Sequence, residues 1–66
     1  MAIVKVIEVL SSSTKSWEDA TSRAISKAGK SVKNIRSAYV QDQSVTVKNN
    51  KVKEFRVALK VSFEIS

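Results

Sequence analysis

Val52-Lys-Glu-Phe-Arg-Val-Ala-Leu-Lys-Val-Ser-Phe-Glu-Ile65 alternates apolar and polar side chains from one end to the other. Phe55, Val57, Leu59, Val61, Phe63 and Ile65 take every second position, and Glu54, Arg56, Ala58, Lys60, Ser62 and Glu64 lie between them. A period of two sustained over this length is a β-strand with one apolar face, and it excludes an amphipathic helix. Burying those six side chains is worth roughly 1.5–3 kcal/mol each. Ordering the backbone costs roughly 1–2 kcal/mol per residue, so the strand needs neighbours. The remainder of the chain has to supply them.

Working back from that strand, Asn49-Asn50 offers two residues that tolerate positive φ, the signature of a tight reversal. Ile35 to Val47 then reads as the antiparallel partner. Its parity changes partway, with Ala38 and Val40 at even positions and Val45 and Val47 at odd ones, so a bulge is expected between Gln41 and Ser44. Further back, Ser16-Trp17-Glu18-Asp19 has the form of a capping box that opens a helix at Trp17. Trp17, Ala20, Ala24, Ile25, Ala28 and Val32 form one apolar stripe along it. The helix is expected to run to Lys33 and to stop at Asn34 in the left-handed conformation. Trp17 reads as a core plug at its entry.

Residues 2–10 are rich in β-branched side chains and read as a first strand, followed by a polar loop from Ser11 to Lys15. Ile3, Ile7 and Val9 would mark one face of this strand and Val4, Val6 and Leu10 the other. One helix hides only one face, so the second points to another subunit. The expected architecture is α+β, in the order β-α-β-β, with a three-stranded antiparallel sheet packed on one helix. No Pro, a single Gly and no repeat leave no linker, so residues 1–66 are expected to form one domain.

A chain of 66 residues makes a small core, and small domains usually add disulfides, a metal or self-association. With neither Cys nor His, self-association is the open route. The same inventory removes thiol nucleophiles, imidazole bases and Ser-His-Asp triads, so the chain is read as a non-enzyme with no catalytic residues. No apolar run reaches the length of a membrane span, and the start lacks the ordered regions of a signal peptide, so a cytoplasmic location and no membrane partner are expected. The net charge of +6 suits anionic partners, though the basic residues form no single run.

This pattern resembles the dodecins. The residues that carry the resemblance are Val4-Lys5-Val6-Ile7-Glu8-Val9, Ser16-Trp17-Glu18-Asp19-Ala20, Val32-Lys33-Asn34-Ile35, Ala38-Tyr39-Val40 and Val61-Ser62-Phe63-Glu64-Ile65. The resemblance implies a hollow homododecamer that binds flavin (riboflavin or FMN), with a Trp before an Ala in the second strand stacking on the isoalloxazine and a Gln early in the last strand bonding its edge. Here Ser37 stands at the Trp position and Arg56 at the Gln position. Flavin binding is therefore expected to be weakened or lost, because an indole contributes large stacking and burial terms that a serine lacks.

Tyr39 offers a ring two residues along from Ser37, although a partly buried subunit contact is the plainer role for it. Arg56 could hold a carboxylate or phosphate bidentately, or pair with Asp42, Glu54 or Glu64 of a neighbouring strand. Asp42, multiplied by rotation at a symmetry axis, could recruit a hard cation such as calcium, but one acid per chain assigns no metal site. The leading reading is a non-catalytic, homododecameric protein that binds or stores a small ligand. The second is a basic nucleic-acid or polyanion-binding module, disfavoured because the polar face of the final strand carries no aromatic side chain for base stacking.

Overall fold

The computed structural model describes residues 3–65. Strand β1 (Val4–Ser13), helix α1 (Trp17–Ala28), β2 (Ile35–Lys48) and β3 (Lys51–Glu64) follow in the expected order. The sheet is antiparallel with β3 in the centre, in the order β1-β3-β2. Ala2, assigned above to the first strand, lies outside the described residues.

The central strand is central because its odd residues supply the core. Val57, Leu59 and Val61 are buried against Ala20 and Ala24 of the helix, with Ile7, Val9, Trp17, Ile25 and Ile35 packed around them. The two helix alanines let the sheet approach closely, as their small size predicts. Phe55 and Phe63 are half-buried at the margins of this core, and Ile65 is exposed. The helix packs on β1 and β3. The same-side residues Val40 and Val45 of β2 stay exposed beyond its reach.

Two boundaries differ from the sequence reading. β1 runs on through Ser11, Ser12 and Ser13, which pair with Val57, Arg56 and Phe55. The polar loop is thus only Thr14 to Ser16. Ser13 is drawn into the sheet and buried, and its hydroxyl donates to Asp19 (2.5 Å) while accepting from the Lys15 amide (2.9 Å). That satisfaction offsets the poor strand propensity of serine.

The helix ends at Ala28, capped by Gly29, rather than running to Lys33. Val32 therefore belongs to the turns that follow, where its amide bonds the Ala28 carbonyl at 2.9 Å. Gly29 is the poorest helix former of the segment, and ends it with an ordinary right-handed φ of −63°. Asn34 does adopt the left-handed conformation, at φ 63°, but at the entry to β2.

The expected parity change in β2 is found at the near edge of the window assigned to it. Val40 pairs with Leu59 and Asp42 with Ala58, which leaves Gln41 as the extra residue. Two further irregularities, at Arg36 on β2 and at Lys53 on β3, were not anticipated. The Asn49-Asn50 reversal is as read, with φ of 53° and 61°. It closes on the pair Lys48–Lys51, giving a two-residue hairpin that projects past the end of β1.

Candidate functional site

The sheet has two unlike faces. The helix covers one, and the other carries the even residues of β3 with their partners on both flanking strands. Antiparallel partners share a face, so the register sets out this open face as rows. Val6, Ser62 and Ser37 form the first row; Glu8, Lys60 and Tyr39 the second; Leu10, Ala58 and Asp42 the third; Ser12, Arg56 and Ser44 the fourth. All four residues singled out from the sequence, Ser37, Tyr39, Asp42 and Arg56, are on this face. The bulge at Gln41 makes that so. Without it, Asp42 would point to the helix side while Ser37 and Tyr39 pointed away.

One face does not mean one pocket. At roughly 3.3 Å per residue, the six-residue separation of Ser62 and Arg56 along β3 places the first and fourth rows about 20 Å apart. Within one chain, Ser37 and Tyr39 belong to one end of the face, and Asp42 and Arg56 to the other.

At the first end, the Ser37 and Ser62 hydroxyls are hydrogen-bonded to each other, and the Ser62 hydroxyl also reaches the Ser37 carbonyl at 3.3 Å. A flat ring stacked here would meet two hydroxyls instead of an indole. These residues do not fit the stacking mode of a flavin site. Tyr39, 67% exposed, is the ring of this face, opposite Lys60.

At the other end, Arg56 lines a shallow groove of about 150 Å3 with Leu10, Ser11 and Ser12. The ion pairs among the described residues are Arg36–Glu64 (3.2 Å) and Arg23–Asp19 (3.1 Å). Glu64, one of the partners considered for Arg56, is thus taken by Arg36, and Arg56 faces solvent. Asp42 is exposed in the adjacent row. No cluster of three or more acidic ligands occurs among the described residues, so one chain does not form a calcium cage.

Two larger grooves flank the helix on the covered side. One, of about 530 Å3, runs along the edge of β1 between Val9, Leu10 and the helix residues Arg23, Ala24 and Lys27. The other, of about 380 Å3, lies between Trp17, Glu18 and Thr21 and the uncovered Val40 and Gln43 of β2. Trp17 forms the wall between core and groove. Its indole Nε1 donates to the Ser44 carbonyl (3.1 Å), and its ring meets Phe55 edge-on, with centroids 5.1 Å apart and planes at 75°. The plug role read from the sequence holds.

Sequence reasoning missed the cross-strand neighbours of the site positions: Ser62 beside Ser37, and Leu10 and Ser12 beside Arg56. Parity placed Ser62 on the polar face of β3, but pairing it with Ser37 needs the register, in which the extra residues Lys53 on β3 and Gln41 on β2 offset each other between the turn and Ser37.

A single helix laid across two strands of a three-stranded antiparallel sheet, its other face open, defines a small β-α-β-β protein of the α+β class. The chain belongs to the dodecin family, whose model, Dodecin, matches residues 3–66. It is 37% identical over 65 residues to the calcium dodecin of Mycobacterium tuberculosis, covering 98% of this chain and 92% of that protein. The crystal structure of that calcium dodecin, described as having a novel calcium-binding site, superposes with a TM-score of 0.84 over 97% of this chain and 91% of its own. A point variant of the Thermus thermophilus dodecin gives a TM-score of 0.94 at 26% identity, covering 100% of this chain and 98% of that one. The dodecin of Streptomyces davaonensis, at 17% identity, shares the fold with a TM-score of 0.93 over 98% and 96% of the two chains.

Proposed function

We propose that this protein is a non-catalytic, homododecameric binding protein that stores or sequesters a small ligand in the cytoplasm, and that it has lost the strong flavin binding of the indole-bearing dodecins. The observation that carries the assembly is the open side of β1, where Val4 and Val6 are about half exposed and Leu10 is 73% exposed. Three exposed apolar side chains on one strand face, interrupted only by Glu8, make a surface on so small a domain that association would cover. The shape agrees: a radius of gyration of 13.5 Å exceeds the roughly 11 Å expected of a compact chain of this length.

Symmetry also gives the two ends of the open face a common purpose. A twofold axis at either end would bring two copies of Ser37 and Tyr39, or of Asp42 and Arg56, to one place. Either arrangement makes an interfacial pocket from residues that one chain keeps apart. The Ser37 end presents hydroxyls and a phenol, and the Arg56 end a guanidinium suited to carboxylate or phosphate. Asp42 brought together by rotation is the corresponding candidate for a hard cation.

Riboflavin titration with fluorescence readout tests the ligand side of this reading. Weak or absent quenching is expected at micromolar protein. Submicromolar binding contradicts the loss inferred from the Ser37–Ser62 pair.

A further inference from the structure

The β2–β3 hairpin extends past Ser13, the last residue of β1, as a two-stranded ribbon. Its register opposes Lys48 directly to Lys51 at the closing pair of the turn, and Lys53 is the extra residue of the bulge just behind it. Like charges facing each other across an antiparallel pair destabilise the hairpin. All three lysines are exposed, and none joins an ion pair among the described residues. From Gln43 to Phe63 the chain carries five cations, Lys48, Lys51, Lys53, Arg56 and Lys60, against one acid, Glu54, which borders Lys53 but joins no ion pair among the described residues, so the tip keeps a net positive charge. A local conflict of this kind, without an evident structural gain, points to an external partner.

We propose that this ribbon tip docks on the phosphate backbone of duplex nucleic acid, with Lys48, Lys51 and Lys53 as the contacts. This goes beyond small-ligand binding and does not depend on it. The register separates two kinds of polyanion. Alternation puts Val47 and Val52, 63% and 52% exposed, on the helix side of the ribbon, and Lys48 and Lys51 on the opposite face. An anionic bilayer recruits apolar and basic side chains together from one direction, and here they point apart. A phosphate backbone needs only the charge. The tip also lacks aromatic side chains, which single-stranded binding surfaces use for base stacking, so the reading is sequence-independent attachment to a duplex. The Cβ atoms of a directly opposed pair stand about 5 Å apart, and flexible lysine stems allow the two ammonium groups to engage neighbouring phosphates.

The test is fluorescence anisotropy of a labelled DNA duplex with the intact assembly, from about 50 to 200 mM salt. The wild type is compared with K48T/K51T, the single variants K48T and K51T, and K30S/K33S, which removes equal charge elsewhere. The proposal expects K48T/K51T to weaken binding by about tenfold or more and to reduce the salt slope by about 1.8, since each lost phosphate contact contributes about 0.9. Each single variant should show part of that loss. K30S/K33S should change affinity by less than about twofold at the same salt, since the contacts are local to the tip. Relief of the Lys48–Lys51 repulsion should leave the thermal midpoint of K48T/K51T unchanged or higher. Wild type that does not bind at the lowest salt overturns the proposal, and so does an equal loss in K30S/K33S. Binding to phosphatidylserine vesicles that depends on Lys48 and Lys51, without duplex binding, also overturns it by assigning the tip to a membrane surface.

Discussion

The Ser37 hydroxyl is hydrogen-bonded to the Ser62 hydroxyl across the β2–β3 pair, at the position where the resemblance to flavin-binding dodecins places a stacking indole. Two small side chains that satisfy each other leave a flat polar patch and no ring. A ring placed there should raise flavin affinity. Ser37→Trp is expected to tighten riboflavin binding at least about tenfold over the wild type, because aromatic stacking adds roughly 0.5–1.5 kcal/mol beyond the area buried. Fluorescence quenching measures the change, and an unchanged affinity would contradict the role given to Ser37.

Trp17 joins the helix start to both long strands. It bonds the Ser44 carbonyl on β2 and packs edge-on against Phe55 on β3. Trp17→Phe keeps the ring contact and removes the indole donor, so a loss of about 1 kcal/mol is expected. Trp17→Ala removes both and should cost about 3 kcal/mol, near the low end for large aromatic truncations because the ring is only half-buried. Urea unfolding at a fixed protein concentration gives the two values, the fixed concentration being needed because association contributes to apparent stability.

Acid should loosen the helix entry. Asp19 accepts from the Ser13 hydroxyl and is paired with Arg23, with Lys15 nearby. That hydrogen bond first, and the two cations after it, hold the Asp19 carboxyl below its ordinary value of 3.8, against a partial opposing effect of desolvation. A carboxyl whose pKa is depressed on folding contributes stability above its unfolded pKa, and that contribution is lost as pH falls through the lower folded value. The thermal midpoint of the wild type should therefore drop below about pH 4. Asp19→Asn should be less stable at neutral pH and should show a smaller change over the same acid range. Identical acid limbs in the two proteins would refute this role for Asp19.

Leu10 is the most exposed large apolar side chain on the open face. It shares a row with Ala58 and Asp42, one row from Arg56. Leu10→Glu should leave the core of Val57, Leu59 and Val61 intact and dissociate the assembly, by placing a charge where an apolar contact is needed. Size-exclusion chromatography with circular dichroism separates the outcomes: smaller particles with unchanged secondary structure are expected.

The fold was largely legible in the sequence because β3 alternates without interruption and the helix announces both its cap and its stripe. The Gln41 bulge was legible for the same reason, since it switches the parity of Val45 and Val47 relative to Ala38 and Val40. The bulges at Arg36 and Lys53 were not, because each lies near a strand end with too few apolar positions beyond it to mark a change of parity. Ser11 to Ser13 read as a loop by propensity, and pairing with the core strand overrode it. The helix reading overran at Gly29 because Val32 continues the apolar stripe, although it belongs to the turns beyond. Ser37, Tyr39, Asp42 and Arg56 share a face, but sequence reasoning did not give their division between two ends of it, because parity assigns a face and only the β2–β3 register assigns a row.

That division gives assembly its importance here, since only symmetry-related copies bring matching ends of the open face together. Sedimentation velocity at micromolar protein tests this most directly. Twelve chains of 7.3 kDa predict a single species of about 88 kDa. A stable species near the mass of one chain would contradict the account.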